Sequence, residues 1–171
     1  FLASNLYAYM NSLRMGVPNE AAADPSLVEV DYTGGGIYKW LPAAVKAVIS
    51  PKHQYAATRY TAGTLRTTSD NYAAVDIGPL WVPDESEVYG VSMYATDTYD
   101  KWYSRLYPSF LGGNRRKGAG NGGSRSSWWL FPAHSGNSAT CCHVGSGGTA
   151  TSYYASNTSL RAPVGFRIRK S

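Results

Sequence analysis

A glycine-rich turn near the C-terminus constrains the fold of this chain more than any other stretch of the sequence. Gly145-Ser146-Gly147-Gly148 separates two short runs of strand-forming residues, 139–144 and 150–155. Glycine adopts positive φ angles without the steric cost that a Cβ atom imposes, and such turns favour tight hairpins. The sequence therefore predicts two antiparallel strands joined at this turn.

Two further strands are predicted around this hairpin. Residues 126–132 and 163–169 are rich in aromatic and β-branched side chains and are bounded by Gly, Pro and Ser. We expect one small antiparallel sheet whose first strand is anchored by two tryptophans and whose last strand ends the chain. Adjacent side chains on a strand face opposite sides, so one tryptophan could be exposed. The residues assigned to the core or its edge are Trp128, Trp129, Leu130, Phe166 and Ile168.

The two cysteines, Cys141 and Cys142, are adjacent in the sequence. A disulfide between neighbours closes a strained ring, because ordinary bridges join Cα atoms that lie further apart. We expect two free thiols, one on each side of a strand. A chain without a disulfide framework is typical of a reducing cytoplasm.

Composition and charge narrow the class of protein. The 171 residues are 43% hydrophobic and 16% charged, which is typical of one domain with a buried core. The net charge of +5 is explained by solubility, and nucleic acid is not expected as a partner because such proteins concentrate positive charge more strongly. No run of 18 apolar residues occurs in the sequence, so membrane insertion is not predicted. The start resembles no signal peptide, and we expect more protein before Phe1.

Local signals place helices and strands in the first half of the chain. Ser4 is a suitable N-cap for a helix that Gly16 and Pro18 should end. Pro42 is tolerated only in a first turn, which predicts a second helix that starts near 39–41, runs to Ile49 and is ended by Pro51. The other elements predicted here are a strand over 27–32, a hairpin within 53–66 around Ala62-Gly63, a polar loop over 67–76 and a buried strand over 80–83.

An acidic segment follows the predicted buried strand. Asp84 and Glu87 have the spacing of a capping box, which predicts a short helix that ends at Gly90. Glu85 lies between them, and the three carboxylates could instead form a metal or acid/base cluster. Helix capping and a favourable placement in the helix dipole explain the pattern without a ligand, and we favour that interpretation.

Several of these segments together resemble a known fold family. A strand with Trp128-Trp129-Leu130, the turn at 144–148 and the ending Val164-Gly165-Phe166-Arg167-Ile168 recur in this order in C-type-lectin-like domains of bacteria and phages. That branch includes formylglycine-generating-enzyme-like domains and the variable proteins of diversity-generating retroelements. Residues 80–90 resemble a further segment of the same group. The resemblance covers 37–171, and 1–36 are expected to form an N-terminal helix and connector, with attachment as its candidate role.

The resemblance implies an α+β fold with two short helices packed on small antiparallel sheets and long loops. It implies a non-enzymatic receptor-binding, ligand-binding or structural domain on a phage virion, in a tail fibre, a baseplate or a head decoration. The expected partner is a host-surface glycan or protein or a neighbouring virion protein, and a homo-oligomer is expected, with a trimer favoured. No cofactor is expected. The alternatives are an oxidoreductase of the formylglycine-generating type that uses Cys141 and Cys142, and a bacterial surface adhesin.

A polar and aromatic stretch over 133–157 is the candidate binding surface. A stiff sheet would hold Tyr outward for contact area and Ser and Asn for adaptable hydrogen bonds. The glycine-rich loop 111–125 adds basic side chains, and with Lys117 and Arg125 it could instead bind a polyanion. The candidate ligand-binding residues are His134, Ser135, Asn137, Ser138, Tyr153, Tyr154, Asn157, Arg115 and Arg116.

Metal and catalytic motifs receive no support from the sequence. His134, Cys141, Cys142 and His143 match no standard zinc spacing, and the tripeptides that bind calcium in C-type lectins do not occur. No nucleophile elbow, metalloprotease motif or Walker loop is present in the sequence. We therefore predict neither a metal site nor catalytic residues.

Overall fold

Short helices and small antiparallel sheets make up the chain, which is an α+β protein. In this computed structural model the described residues are 4–19, 26–57, 72–95, 107–108, 110, 117–118, 124–134, 136–137 and 140–169. The helices in those residues are α1 (Asn5–Asn11), α2 (Ile37–Trp40), α3 (Ala43–Val48) and α4 (Glu85–Tyr89). The strands are β1 (Arg14–Asn19), β2 (Ser26–Asp31), β3 (Ile49–Ser50), β4 (His53–Ala57), β5 (Tyr72–Asp76), β6 (Lys117–Gly118), β7 (Arg125–Ser126), β8 (Trp128–Ala133), β9 (Thr140–Val144), β10 (Ala150–Tyr154) and β11 (Arg167–Ile168).

The chain divides into two compact units. Unit 1 contains Phe1–Trp81 and Phe166–Ser171, and unit 2 contains Val82–Gly165. The boundary predicted at residue 36 lies inside unit 1, and an attachment role for residues 1–36 stays a prediction.

The first helix begins where the sequence predicts and ends earlier. Ser4 caps α1, because its Oγ accepts a hydrogen bond from the backbone N–H of Tyr7. The helix ends at Ser12, which has a positive φ of 56°. Gly16 and Pro18 do not end the helix as predicted, since both lie in β1, which pairs with β2. The predicted strand over 27–32 is confirmed as β2.

The predicted second helix is two helices. Leu41 is extended, with ψ 141°, because the ring of Pro42 disfavours a helical conformation in the residue before it. This residue separates α2 from α3, which begins after Pro42. The chain then enters β3 at Ile49.

Strands β4 and β5 pair with each other in unit 1. The prediction of a polar loop over 67–76 is therefore wrong for its last five residues, which form β5. Tyr72 and Val75 are of residue types that favour strands. The turn predicted at Ala62-Gly63 lies outside the described residues. Residues 80–83 are mostly buried as predicted, although no strand is formed over them.

Unit 2 is built on a three-stranded antiparallel sheet with the order β10-β9-β8. The predicted hairpin is confirmed: β9 and β10 pair, and Gly148 in the turn between them has φ 91°. One face of the sheet carries the core, where Val88 of α4 meets Trp128 and Val144. Phe110 stacks on Trp128 with ring centroids 5.9 Å apart.

The predicted place of the terminal strand is wrong. Strand β11 pairs with β3 in unit 1, with Ile168 opposite Ile49, and does not join the sheet that contains Trp128. Phe166 is 48% exposed and Ile168 66% exposed, so neither belongs to the core. Strand β11 has only two residues, so its sequence shows no alternation of apolar and polar side chains that could indicate its partner strand. The core positions predicted for Trp128 and Leu130 are confirmed.

Candidate ligand-binding site

The two faces of the three-stranded sheet carry different side chains. Residues directly opposite each other in an antiparallel pair point to the same side, and neighbours along a strand alternate. Trp128 is paired with Val144, and both are buried in the core. Trp129 is paired with His143, and both lie on the other face. The predicted alternation of the two tryptophans is therefore confirmed, with Trp129 only partly buried.

Three rings form a continuous row on that other face, which we call the aromatic face: Trp129 of β8, His143 of β9 and Tyr153 of β10. The centroids of Trp129 and His143 are 6.0 Å apart, and those of His143 and Tyr153 are 5.9 Å apart. Both contacts are edge-to-face, the arrangement that the ring quadrupoles favour. Each ring is thus held by its neighbour across the strands.

A cavity of about 330 Å³ lies at the aromatic face, and we call it the sheet-face pocket. The pocket draws side chains from β7 and the residue after it, from β9, from the β9–β10 turn, from β10 and from the turn that follows. Its lining residues are Arg125, Ser126, Ser127, His143, Ser146, Tyr153, Asn157, Ser159 and Leu160. A concave site with a few convergent polar groups is the usual form of a small-molecule site.

Backbone hydrogen bonds fix the segment that closes the pocket. The N–H of Arg161 donates to the carbonyl of Ser127 over 3.0 Å, and the N–H of Trp129 donates to the carbonyl of Arg161 over 2.8 Å. Before this point, Oδ1 of Asn157 accepts hydrogen bonds from the N–H and the Oγ of Ser159, at 2.8 and 2.7 Å. The turn is therefore stabilised by the Asn157 carbonyl oxygen, and its Nδ2 group forms no hydrogen bond to a described residue.

His143 is the most buried polar residue of the pocket, with 5% of its surface exposed. Its Nδ1 is buried and has no hydrogen-bond partner among the residues that the structure describes. Burial lowers the pKa of the imidazole below its usual value, because the charged form would lose its hydration. The ring is thus favoured as neutral at pH 7, with an unsatisfied polar atom of the kind that requires an explanation in a native structure.

Electrostatically, the pocket is positive and rich in hydroxyl groups. Arg125 is the one permanent charge among the described lining residues, and no carboxylate is among them. Its guanidinium forms no ion pair within the described part of the chain. Four serines and Tyr153 supply hydroxyl groups, which both donate and accept hydrogen bonds.

The structure brings only some of the sequence-predicted binding residues to this pocket. Tyr153 and Asn157 line it. Tyr154, which is paired with Thr140, does not line the pocket, although its ring is in edge-to-face contact with that of Tyr153, with centroids 6.2 Å apart. His134 packs against Tyr94, with centroids 5.3 Å apart, and its Nδ1 accepts a hydrogen bond from the N–H of Gly136. Of the five remaining predicted residues, Asn137 is exposed and does not line the pocket. The other four lie outside the described residues: Ser135, Ser138, Arg115 and Arg116.

Some residues of the pocket were not predicted as ligand-binding. His143 and Ser146 lie in the stretch 133–157 that the sequence predicts as the binding surface, although neither is among the candidate ligand-binding residues. Arg125 is predicted only as part of a polyanion-binding loop, and Ser127 has no predicted role. The alternation of a strand offered a usable signal for one of these, because His143 and Tyr153 share a face once the β9–β10 turn fixes the register. The lining serines show no such alternation, because they come from separate segments of the chain that meet only in the folded structure.

The two thiols do not point to a common site. Neither cysteine forms a disulfide, and Cys141 is partly exposed whereas Cys142 is fully buried, which confirms the prediction of one thiol on each side of a strand. Burial, reinforced by the nearby charge of Glu85, raises the pKa of Cys142 well above its usual value. Its thiol is therefore held protonated, and a thiolate pair converging on one ion is disfavoured.

The acidic segment has a structural role. Asp84 and Glu87 form the predicted capping box on α4, which is confirmed, and the hydroxyl of Tyr107 also donates to Oε1 of Glu87 over 2.6 Å. Oε2 of Glu85 accepts hydrogen bonds from the backbone N–H groups of Met93, Tyr94 and Ala95, at 3.0, 3.0 and 2.9 Å. Glu85 thus fixes a loop, while its other oxygen, Oε1, is buried without a partner in the described part of the molecule.

Among the described residues, no three His, Cys, Asp or Glu side chains are grouped so that they could hold a metal ion. Within the same residues, no helix has the length and apolar character needed to cross a membrane. Comparison with family models, with curated proteins and with solved structures finds no match to this chain.

Proposed function

We propose that this chain is a non-enzymatic binding domain that recognises its ligand at the sheet-face pocket. The observation that carries the proposal is the pocket itself, which places Tyr153, Asn157 and a buried His143 around one concave surface. Tyr provides a large contact area with few rotatable bonds, and Ser and Asn provide adaptable hydrogen bonds. A rigid sheet behind them reduces the entropy lost on binding.

The chemistry of the pocket favours binding over catalysis. A general base needs a proton acceptor within reach of a reacting group, and nucleophilic catalysis needs a partner that activates the nucleophile. Among the described lining residues no carboxylate stands near His143 to orient it, and Cys142 lies on the other face of the sheet. An oxidoreductase that uses both cysteines would need them on one side.

We further propose that the domain belongs to the C-type-lectin-like branch of phages and bacteria and is displayed on a virion. The tryptophan-containing strand and the glycine hairpin of the resemblance lie in one sheet, and the acidic segment forms its short helix, which supports this assignment. The terminal segment of the resemblance pairs with β3 in unit 1 instead of joining that sheet, which counts against it. The partner would be a glycan or protein of the host surface, and a trimeric assembly would present several pockets together. A surface adhesin of a bacterium would use the same pocket in the same way.

Binding is tested with two tyrosines that are neighbours in the sequence. The labelled chain is applied to immobilised bacterial surface polysaccharides and surface proteins, and association is followed by interferometry. Tyr153→Ala and Asn157→Ala are expected to weaken binding at least tenfold, roughly the effect of losing one well-placed contact of about 1.4 kcal/mol. Tyr154→Ala is the matched control and should weaken binding much less, because Tyr154 does not line the pocket and reaches it only through its edge-to-face contact with Tyr153.

Two outcomes would contradict the proposal. Equal loss of binding in Tyr154→Ala and Tyr153→Ala would remove the pocket as the binding site. Turnover of a bound surface polymer, detected by mass spectrometry of the supernatant, would show an enzyme. The virion assignment is tested independently by searching purified virions for peptides of this chain and counting copies per particle.

A further inference from the structure

We infer that the sheet-face pocket takes a hydroxyl-rich small ligand that carries one anionic group, a carboxylate or a phosphate, such as the end of an acidic sugar chain. This inference rests on the proposed binding function and names the chemical class of its ligand. It is argued from the charge, the unused hydrogen-bonding groups and the size of the pocket.

The positive charge of the pocket favours an anionic ligand. A guanidinium is charged at every physiological pH and matches the geometry of carboxylate and phosphate oxygens with two parallel hydrogen bonds. Arg125 lines the pocket, and within the described residues no acidic side chain pairs with it. The imidazole of His143 is favoured as neutral, so a single positive charge faces the ligand among the described lining residues. One anionic group is therefore matched, and a polyanion is not required.

The polar groups around Arg125 call for hydroxyl groups on the rest of the ligand. The hydroxyls of Ser127, Ser146 and Tyr153 and the Nδ2 group of Asn157 form no hydrogen bond to another described residue, although all four residues line the pocket. Serine and tyrosine hydroxyls can both donate and accept, and an amide N–H₂ donates twice. This mixture complements sugar hydroxyl groups, which also act in both directions.

The size and apolar part of the pocket fit a ligand of one or two rings. A volume of about 330 Å³ is near the lower end of the range for small-molecule sites, roughly 300–1,000 Å³. Leu160 and the ring of Tyr153 provide the apolar surface in the lining. Sugar rings present C–H groups on their faces, which can pack against such surfaces while the hydroxyls reach the serines.

The inference is tested with matched pairs of probes. Galacturonic acid is compared with galactose, and glucose 6-phosphate with glucose, by isothermal titration calorimetry and by chemical-shift changes in the amides of β9 and β10. At least one charged member should bind about tenfold more tightly than its neutral partner, because a hydrogen bond to a charged group contributes about 1.5–3 kcal/mol. The carboxylate and phosphate arms distinguish the two sources of charge.

Arginine variants assign the effect to the pocket. Arg125→Gln should weaken the charged sugar far more than the neutral sugar and so remove the preference between them. Arg167→Gln lowers the net charge equally but lies in β11 of unit 1, so it should preserve the preference. Raising the salt concentration should weaken the charged sugar in the wild type more than in Arg125→Gln.

The outcomes separate this inference from the proposed function. Equal affinity for charged and neutral sugars, or an unchanged preference in Arg125→Gln, overturns the anionic ligand. Absence of binding for all four sugars overturns the sugar class. In either case the proposed function is judged by the Tyr153→Ala and Tyr154→Ala comparison on surface preparations, which uses no sugar probe.

Discussion

Helices α3 and α4 are of similar length, yet they relate to their surroundings in opposite ways. Helix α3 in unit 1 buries none of its residues, and Val48 at its end is exposed. Helix α4 in unit 2 buries four residues: Glu85, Ser86, Glu87 and Val88. Two carboxylates are thus buried in α4, whereas the apolar side chain of Val48 in α3 is exposed to water. Hydrophobicity alone would assign these helices the other way round. The difference teaches that satisfied hydrogen bonds decide whether a polar helix can be buried.

The largest expected effect contrasts two tryptophans. Trp128 is 1% exposed and is packed in the core of unit 2, whereas Trp40 is 74% exposed at the end of α2. Trp128→Ala should destabilise the protein by about 3–5 kcal/mol, because it removes a large buried side chain and leaves a cavity. Trp40→Ala should change stability by less than about 0.5 kcal/mol. Urea unfolding measures both changes in the free energy of unfolding. Similar losses for the two variants would contradict the difference in burial between Trp128 and Trp40.

The next effect concerns Glu85, whose Oε2 accepts three backbone hydrogen bonds. Glu85→Ala leaves those N–H groups without their acceptor, and we expect a loss of about 3 kcal/mol in the free energy of unfolding. Hydrogen exchange at Met93, Tyr94 and Ala95 should accelerate together. Glu29→Ala, in the exposed β2, is the matched acidic control and should leave the unfolding midpoint in place. Unaltered exchange at the three amides would show that Glu85 does not fix the loop.

A smaller effect follows from the raised pKa of Cys142. In the unfolded chain a thiol ionises near pH 8.5, whereas in the folded state burial keeps it protonated. The unfolded state therefore binds fewer protons above that pH, and stability should fall by up to about 1.4 kcal/mol for each further pH unit. Cys142→Ala should show a shallower alkaline slope than the wild type, whatever its stability at pH 7. Identical slopes would contradict the burial of the thiol.

The same burial predicts the labelling of the two cysteines. A thiol reagent at neutral pH should modify Cys141 in the native protein and both cysteines in denaturant, because the thiolate is the reactive form and Cys142 is inaccessible. Mass spectrometry after timed quenching counts the modified residues. Native labelling of Cys142 at the rate of Cys141 would place both sulfurs on the surface.

The smallest effect is expected from His143, whose pKa is lowered by burial. As pH falls below about 6.5 the unfolded chain takes up a proton that the folded chain resists, so stability decreases toward acid pH. His143→Gln should flatten the acid slope between pH 7 and pH 5. The pKa of the ring, followed by NMR of its carbon-bound protons, should lie below the ordinary value. An ordinary or raised pKa would mean that the charged form is stabilised in the pocket.

Sequence reasoning succeeded where structure is encoded locally. The cap at Ser4, the capping box of Asp84 and Glu87 and the glycine hairpin each depend on residues within a few positions of one another. It failed for β11, because the pairing of Ile168 with Ile49 joins opposite ends of the chain. The same reason limits the candidate site. Tyr153 and Asn157 were found from their strand and turn, whereas Arg125 and the serines enter the pocket only through tertiary folding.

The alternation of side chains along β9 has a consequence for the evolution of this protein. Cys142 and Val144 point into the core, and His143 between them points to the pocket. If the sheet-face pocket binds as proposed, mutations at every second position would change which molecule is recognised while the interior keeps its packing. Adjacent residues of β9 would therefore be under different constraints, with one set keeping the fold and the other free to change specificity.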